Sequence, residues 1–87
     1  MANENGRVRC SVSGRSMEKD LFNYHVAGKE DSPRTALLYW CKGCKTYQRC
    51  ISGRMKISSD PRAILAGIES RNGASYKLHD IIIERGD

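Results

Sequence analysis

Hydrophobic and polar residues alternate near the start of the chain. Val8, Cys10 and Val12 are separated by polar residues, and Gly14 interrupts the pattern. Because a period of two is typical of a half-buried strand, residues 7–13 are predicted to form a strand. The next apolar group, within residues 21–26, has spacings that fit a turn of helix and a strand equally well.

Two more apolar segments follow a polar loop at residues 28–33. Residues 35–41 form a nearly continuous apolar run, and residues 45–51 alternate between apolar and polar side chains. Their β-branched and aromatic content favours two strands, with helix as the alternative. The Cys-Lys-Gly-Cys sequence between them is expected to form a turn, since Gly43 can adopt the positive φ that such turns require.

One helix is marked by signals at both of its ends. Asp60 is a good N-cap, Pro61 suits the first helical position, and Asn72-Gly73 supplies a stop. We therefore expect a helix over residues 61–71. The β-branched segment Ile81–Ile83 is too short for a helix and predicts a closing strand.

These elements predict an α+β fold in a single small domain. We expect a mainly antiparallel sheet of about four strands with one helix near residues 61–71. Residues 1–6 are polar and are predicted to be a flexible N-terminus, so the domain would span residues 7–87. A chain of 87 residues is too short for two domains of ordinary size.

The composition predicts a thin hydrophobic core. Leu, Ile, Val and Phe together supply sixteen of the 87 residues, close to the share at which highly charged chains remain disordered. Domains of this size bury only about 60–65% of their unfolded surface, so they often depend on disulfides, a metal ion or a partner subunit. The four cysteines are the available means of stabilisation.

The expected compartment decides how these cysteines are interpreted. The N-terminal residues contain no apolar segment of the length that a secretory signal peptide needs. The chain also lacks the run of about 18 apolar residues that a membrane span requires. We therefore expect a cytoplasmic protein without a membrane partner, in which thiols are reduced and favour metal or redox chemistry.

The Cys-x-x-Cys motif at residues 41–44 is typical of half of a structural zinc site. Zinc prefers four tetrahedral thiolate or imidazole ligands, and such a turn presents two sulfurs on one side of a hairpin tip. The sequence leaves the other two ligands open. The candidate ligands are Cys41, Cys44, Cys10 and Cys50, followed by His25 and His79.

Spacing along the chain ranks the remaining candidates. A strand over residues 45–51 would place Cys50 roughly 20 Å from Cys44, too far for both sulfurs to bind one ion. Cys10 is therefore the first choice for the third ligand.

A weak similarity between residues 9–17 and 49–55, for which chance is the simpler explanation, would make Cys10 and Cys50 equivalent.

The segment Trp40–Lys45 also resembles the active site of thioredoxins. In that family a Trp precedes the Cys-x-x-Cys motif and a Lys follows it, and the first cysteine lies at a helix N-terminus that lowers its pKa. The resemblance implies a thiol–disulfide oxidoreductase that uses Cys41 and Cys44. It covers six residues, lacks the usual proline before the second cysteine, and is followed at residues 45–57 by no helical periodicity.

Positive charge is concentrated in one third of the chain. The net charge is +5, and residues 32–59 contain six Lys or Arg residues but no Asp or Glu. Because cations neutralise phosphates and aromatic rings stack on unpaired bases, this segment predicts nucleic-acid binding. The candidate contact residues are Arg34, Tyr39, Lys42, Lys45, Tyr47, Arg49, Arg54 and Lys56.

The sequence therefore predicts a small basic regulatory protein that binds nucleic acid and holds structural zinc. Apart from the redox alternative, no catalytic motif is visible, so we do not expect an enzyme. The main alternative is a protein-binding module or inhibitor, of the kind that phages and mobile elements encode. It would bind an acidic protein through the basic segment, or use Ile81–Ile83 as an edge for binding or homodimerisation.

Overall fold

Among residues 8–70 and 74–84, which the computed structural model describes, five antiparallel strands form one sheet and one α-helix packs against it. The order of the strands across the sheet is β4-β3-β2-β1-β5. A 3-10 turn at Leu78–Asp80 precedes the last strand. The predicted α+β class is confirmed. The elements are β1 (Glu18–Val26), β2 (Arg34–Cys41), β3 (Thr46–Ile51), β4 (Arg54–Ser58), α1 (Pro61–Glu69) and β5 (Ile81–Ile83).

β1 forms from the segment for which the apolar spacing left two alternatives. Phe22 and Tyr24 are buried, whereas Leu21 and Asn23 between them are exposed, as the alternation of a strand requires. β1 pairs with β2 in the register that places Phe22 opposite Ala36. It also pairs with β5 on its other side. β1 is therefore a central strand, stabilised by partners on both edges.

β4 is a strand that the hydrophobic pattern does not predict. Its residues are almost all exposed, so no alternation of burial marks it. The signal lies in the preceding turn, where Ser52 and Gly53 have φ values of 52° and 81°. Two successive positive φ values are typical of a two-residue type I′ hairpin loop. The sheet thus has five strands instead of the expected four or so.

The strand predicted over residues 7–13 is wrong. The chain turns at Ser11–Ser13, where the N–H of Gly14 donates to the carbonyl of Cys10 at 2.9 Å. Arg9 and Ser16 form only an isolated bridge. The alternating pattern does not reflect one buried face of a strand, because Cys10 is buried against the sheet whereas Val12 is 68% exposed.

The helix and the closing strand, which have the strongest local sequence signals, are confirmed. α1 begins at Pro61 and ends at Glu69, and the Asp60 side chain accepts a hydrogen bond from the N–H of Arg62 at 3.0 Å. The strand predicted at Ile81–Ile83 is present as β5. Within the described residues no helix is long and apolar enough to span a membrane. The expected helix stop at residues 72–73 and the predicted flexible residues 1–6 lie outside the described part of the chain.

The two faces of the sheet are covered by different parts of the chain. α1 packs on one face, where Leu65 and Phe22 belong to the main buried cluster. The N-terminal segment, residues 8–17, covers one end of the opposite face. There Cys10, Met17 and Cys41 form a second, smaller cluster. This smaller cluster lies where β2 turns into β3, at the cysteine motif.

Tyr24 connects the sheet to the helix. Its hydroxyl donates to Oε2 of Glu69 at 2.5 Å, and Glu69 also pairs with the guanidinium of Arg34 at 3.4 Å. Burial raises the pKa of Tyr24 well above its ordinary value of 10.0, and the hydrogen bond to Glu69 raises this pKa further.

Tyr24→Phe is expected to make the protein less sensitive to alkali. A phenol whose pKa is raised in the folded state stabilises the fold fully below its unfolded pKa of about 10, and this contribution is lost as the pH rises toward the folded pKa. Urea unfolding between about pH 8 and pH 11 should therefore show a steeper loss of stability for the wild type than for Tyr24→Phe. Tyr76→Phe, which removes a hydroxyl from an exposed hydrogen bond, is the control. Parallel curves for the wild type and Tyr24→Phe would contradict the prediction.

Candidate metal centre

Three cysteine sulfurs meet at the end of the sheet where β2 turns into β3. The Sγ atoms of Cys10, Cys41 and Cys44 lie within 4.8 Å of one another, and those of Cys10 and Cys44 are 3.8 Å apart. In a tetrahedral site with zinc–sulfur bonds of about 2.3 Å, two sulfurs are separated by roughly 3.8 Å. The described residues therefore contain a cysteine cluster that can hold a metal ion.

The other candidate ligands do not belong to this cluster. Cys50 lies exposed in β3, opposite Met55 of β4. The side chain of His25 pairs with Glu84, and His79 is exposed. The extended path of β3 carries Cys50 away from Cys44, as the spacing argument expects.

Cys10 lies in a turn whose backbone points at its sulfur. The N–H groups of Val12 and Ser13 both donate to Sγ of Cys10 at 3.3 Å. The turn closes through the hydrogen bond from the N–H of Gly14 to the carbonyl of Cys10, and Gly14 has a φ of 78°. Glycine adopts this left-handed conformation without a Cβ penalty. The sequence Cys-Ser-Val-Ser-Gly thus folds locally into a turn that presents a sulfur.

The turn that begins at Cys41 has the same construction. The N–H of Lys45 donates to the carbonyl of Cys41 at 2.8 Å, and Lys45 has a φ of 57°. Cys41 ends β2 and is fully buried, while Cys44 is half-buried. Two turns of matching shape therefore carry the sulfurs, one from the N-terminal segment and one from the β2–β3 hairpin.

Hydrogen bonds give the sulfurs different pKa values. The pKa of Cys10 is held well below its ordinary value of 9.0, chiefly by the Ser13 hydroxyl, while burial opposes this and the N–H groups of Ser13 and Val12 add to it. The pKa of Cys44 is raised, first by its contact with Cys41 and then by its contact with Cys10. Since hydrogen bonds to sulfur favour the thiolate, Cys10 is the sulfur best prepared for the charged form that binds metals.

Gln48 holds the turn that begins at Cys10 against the sheet. This residue of β3 is 0% exposed, and its Nε2 donates to Sγ of Cys10 at 3.1 Å. Its Oε1 accepts from the N–H and the hydroxyl of Ser11, both at 3.2 Å. No local pattern singles out Gln48, because its partners at the Cys10 turn lie 37 and 38 residues away along the chain.

Three of the residues predicted to contact nucleic acid are half-buried and pack against other parts of the protein. The guanidinium of half-buried Arg49 donates to the carbonyl of Leu37 at 2.7 Å. The ring of Tyr47 packs against Trp40, with centroids 4.6 Å apart. Tyr39 packs against the cysteine cluster on the opposite face of the sheet.

The remaining predicted contacts are exposed but lie in different places. Arg54 and Lys56 are on β4, at the edge of the sheet, and Arg34 pairs with Glu69 beside α1. Lys42 and Lys45 lie in the turn that carries Cys41 and Cys44. The structure therefore does not bring all the predicted contacts together on one surface.

An open pocket lies beside the cysteine cluster, between the turn at Cys41 and the residues that follow the turn at Cys10. Its volume is about 470 Å³. Arg15 and Lys42 contribute two positive charges, and Glu18 contributes one negative charge. Arg15 is absent from the predicted contacts because it lies outside the acid-free segment 32–59. The lining residues are Arg15, Ser16, Glu18, Trp40, Lys42 and Gly43.

The Cys-x-x-Cys motif lies on a hairpin turn. Cys41 is the last residue of β2, and β3 begins at Thr46. The motif therefore leads into a strand, whereas the resemblance to thioredoxins implies a helix. Cys41 is also 0% exposed, unlike the accessible thiol that attacks disulfides.

Comparison with known proteins finds no relative of this chain. No protein-family model matches it, and no curated protein or solved structure matches it. Its function is therefore inferred from the cysteine cluster and the pocket beside it.

Proposed function

We propose that this protein is a zinc-stabilised domain that binds single-stranded nucleic acid at the pocket beside the cysteine cluster. The observation that carries the proposal is that Trp40, Arg15 and Lys42 line one pocket. An aromatic ring and two cations in one place are what an unpaired base and its flanking phosphates require.

Zinc suits the donor atoms of the cluster. Thiolates are soft ligands, and the separation of 3.8 Å between the sulfurs of Cys10 and Cys44 matches tetrahedral zinc. The ion would join the turn at Cys10 to the β2–β3 hairpin and so link the N-terminal segment to the sheet. Structural zinc sites contribute about 10–16 kcal/mol of apparent binding energy in small peptides, enough to compensate for a thin core.

The pocket holds its aromatic ring in place. Trp40 is half-buried and lines the pocket, and its ring contacts that of Tyr47 with centroids 4.6 Å apart. Stacking of a base on such a ring contributes about 1–3 kcal/mol. A supported ring loses little conformational entropy on binding, which favours this contact over a mobile side chain.

The charge around the metal centre favours an anionic partner. Three thiolates and one Zn²⁺ carry a combined charge of −1. Four exposed cations, Arg9, Arg15, Lys42 and Lys45, lie in or beside the two cysteine turns. This end of the molecule therefore stays positive when the site is loaded.

Binding of a labelled single-stranded oligonucleotide at about 50 mM salt tests the proposal. The wild type should bind, and its affinity should fall at least about tenfold when salt is raised to about 200 mM. The Arg15→Glu/Lys42→Glu variant should bind at least about tenfold more weakly than the wild type. A duplex of the same sequence should bind more weakly, because its bases cannot stack on Trp40.

Arg54→Glu/Lys56→Glu is the matched control, since it makes the same change of charge on β4. It should bind within about threefold of the wild type, because these cations lie away from the pocket. Equal losses in the two double variants would contradict the assignment of binding to the pocket. A wild-type protein that binds no oligonucleotide at low salt would refute the function.

A further inference from the structure

The hydroxyl of Ser13 lies beside the cluster of three cysteine sulfurs, in contact with that of Cys41. Its Oγ is 3.8 Å from Sγ of Cys41. The N–H of the same residue donates to Sγ of Cys10 at 3.3 Å. Ser13 therefore lies beside the three-sulfur cluster, at which a tetrahedral ion requires a fourth ligand.

We propose that Ser13 is the fourth ligand of the metal centre, through its hydroxyl oxygen, in a site of three sulfurs and one oxygen. This inference rests on the metal binding proposed above. It assigns a ligand that is neither cysteine nor histidine, so a search for the usual zinc ligands along the sequence overlooks it.

The matching construction of the two turns supports this assignment. Each turn begins with a cysteine, and the N–H of the fifth residue donates to the carbonyl of the first. In each turn the fifth residue, Gly14 or Lys45, has a positive φ. Ser13 therefore occupies the position in the first turn that Cys44 occupies in the second. The site is a pair of Cys-x-x-Cys-like turns in which one thiol is replaced by a hydroxyl.

The distances permit direct ligation. With a zinc–oxygen bond of about 2.0–2.2 Å and a zinc–sulfur bond of about 2.3 Å, tetrahedral geometry separates oxygen and sulfur by roughly 3.5 Å. The separation of 3.8 Å between Ser13 and Cys41 differs from this by a few tenths of an ångström. The N–H of Arg15 donates to the Ser13 oxygen at 3.4 Å, and such outer contacts orient ligands and stabilise charge on them.

A serine ligand gives a weaker site than a fourth cysteine would. A neutral hydroxyl is a harder and less strongly bound ligand for zinc than a thiolate. We therefore expect Ser13→Cys to tighten zinc binding at least about tenfold. Ser13→Ala removes the oxygen ligand and should weaken zinc binding about tenfold.

Cobalt substitution reports the ligands directly. The sulfur-to-cobalt charge-transfer absorption grows with the number of coordinated thiolates, so Ser13→Cys should raise it by about one third over the wild type. Ser13→Ala should keep the wild-type intensity, since all three sulfurs remain. The matched control is Ser16→Cys, which adds a thiol three residues farther along the chain, and it should change neither the absorption nor the zinc affinity.

The outcomes separate this inference from the proposal on which it rests. A wild type that binds neither zinc nor cobalt overturns the metal site as a whole. One ion per chain, with equal affinity in the wild type and Ser13→Ala and no added absorption in Ser13→Cys, overturns the role of Ser13 alone. If Ser13→Cys does not fold, the ratio of zinc affinities between the wild type and Ser13→Ala decides the question.

Discussion

Removal of the metal ion by a chelator is expected to cost the zinc-loaded protein about 3 kcal/mol of stability or more. A loss of this size lowers the midpoint of thermal unfolding by about 12–24 °C in a domain of this length. The reason lies in the small cluster beneath the N-terminal segment, whose buried residues are Cys10, Met17 and Cys41. A cluster of that size has little apolar surface with which to hold a chain segment in place.

Cysteine variants provide the matched test of this expectation. Cys41→Ala removes a ligand that is 0% exposed, and it should abolish metal binding and destabilise the fold as much as chelation does. Cys50→Ala makes the same chemical change at an exposed thiol of β3, outside the cluster, and should leave the unfolding midpoint unchanged. Thermal unfolding followed by circular dichroism, together with metal analysis, measures both. An unchanged midpoint after complete removal of the metal would contradict the prediction.

The parts of the fold that the sequence predicts well are those set by neighbouring residues. Asp60 and Pro61 define the start of α1 because an N-cap and a first-turn proline act within a few residues. β5 is predicted because Ile81–Ile83 is β-branched throughout. The same reasoning failed at Cys10, where alternation predicted a strand and the backbone instead turns toward the sulfur.

Strands that depend on their partners could not be predicted from local patterns. The apolar spacing of β1 suits a helix as well as a strand, and the choice is made by pairing with β2 and β5 on either side. β4 is exposed on most of its length, so its formation depends on pairing with β3 across the turn at Ser52 and Gly53. Only that turn could have revealed β4.

The cysteine cluster was predictable where its members share a motif and not elsewhere. Cys41 and Cys44 follow from their spacing, and Cys10 follows because Cys50 lies too far along an extended strand. Ser13 and Cys41 are 28 residues apart in the sequence, so no local motif contains both of them. The weak sequence similarity pairs Cys10 with Cys50. In the structure, the turn at Cys10 instead matches the turn at Cys41.

The distribution of charge along the chain was a poor guide to its distribution in space. The acid-free segment 32–59 does not form one surface, because its residues alternate between the two faces of the sheet. Arg49 is consequently half-buried, while Arg15 from outside the segment joins Lys42 at the pocket. Clusters of charge in space arise from the register of the strands as much as from composition.

Gln48→Glu is expected to weaken zinc binding at least about a hundredfold and to destabilise the fold by about 3–5 kcal/mol. Gln48 is 0% exposed, and its amide nitrogen donates to Sγ of Cys10 at 3.1 Å. The substitution replaces that donor by a carboxylate oxygen of nearly the same size, so a buried negative charge would face a thiolate. Repulsion and the lost hydrogen bond therefore act together, without a change in packing volume.

Two control variants separate the contribution of charge from that of the hydrogen bond. Gln48→Met keeps the length of the side chain and removes the donor without adding a charge, so its effect on zinc affinity should be smaller. Met55→Glu adds the same charge at a residue of β4 that is 41% exposed, where water screens it, and should leave zinc binding unchanged. Competitive zinc titration and thermal unfolding measure the three variants. If Gln48→Glu binds zinc as tightly as the wild type, the Gln48 amide does not donate to Cys10 in the loaded protein, and the prediction is wrong.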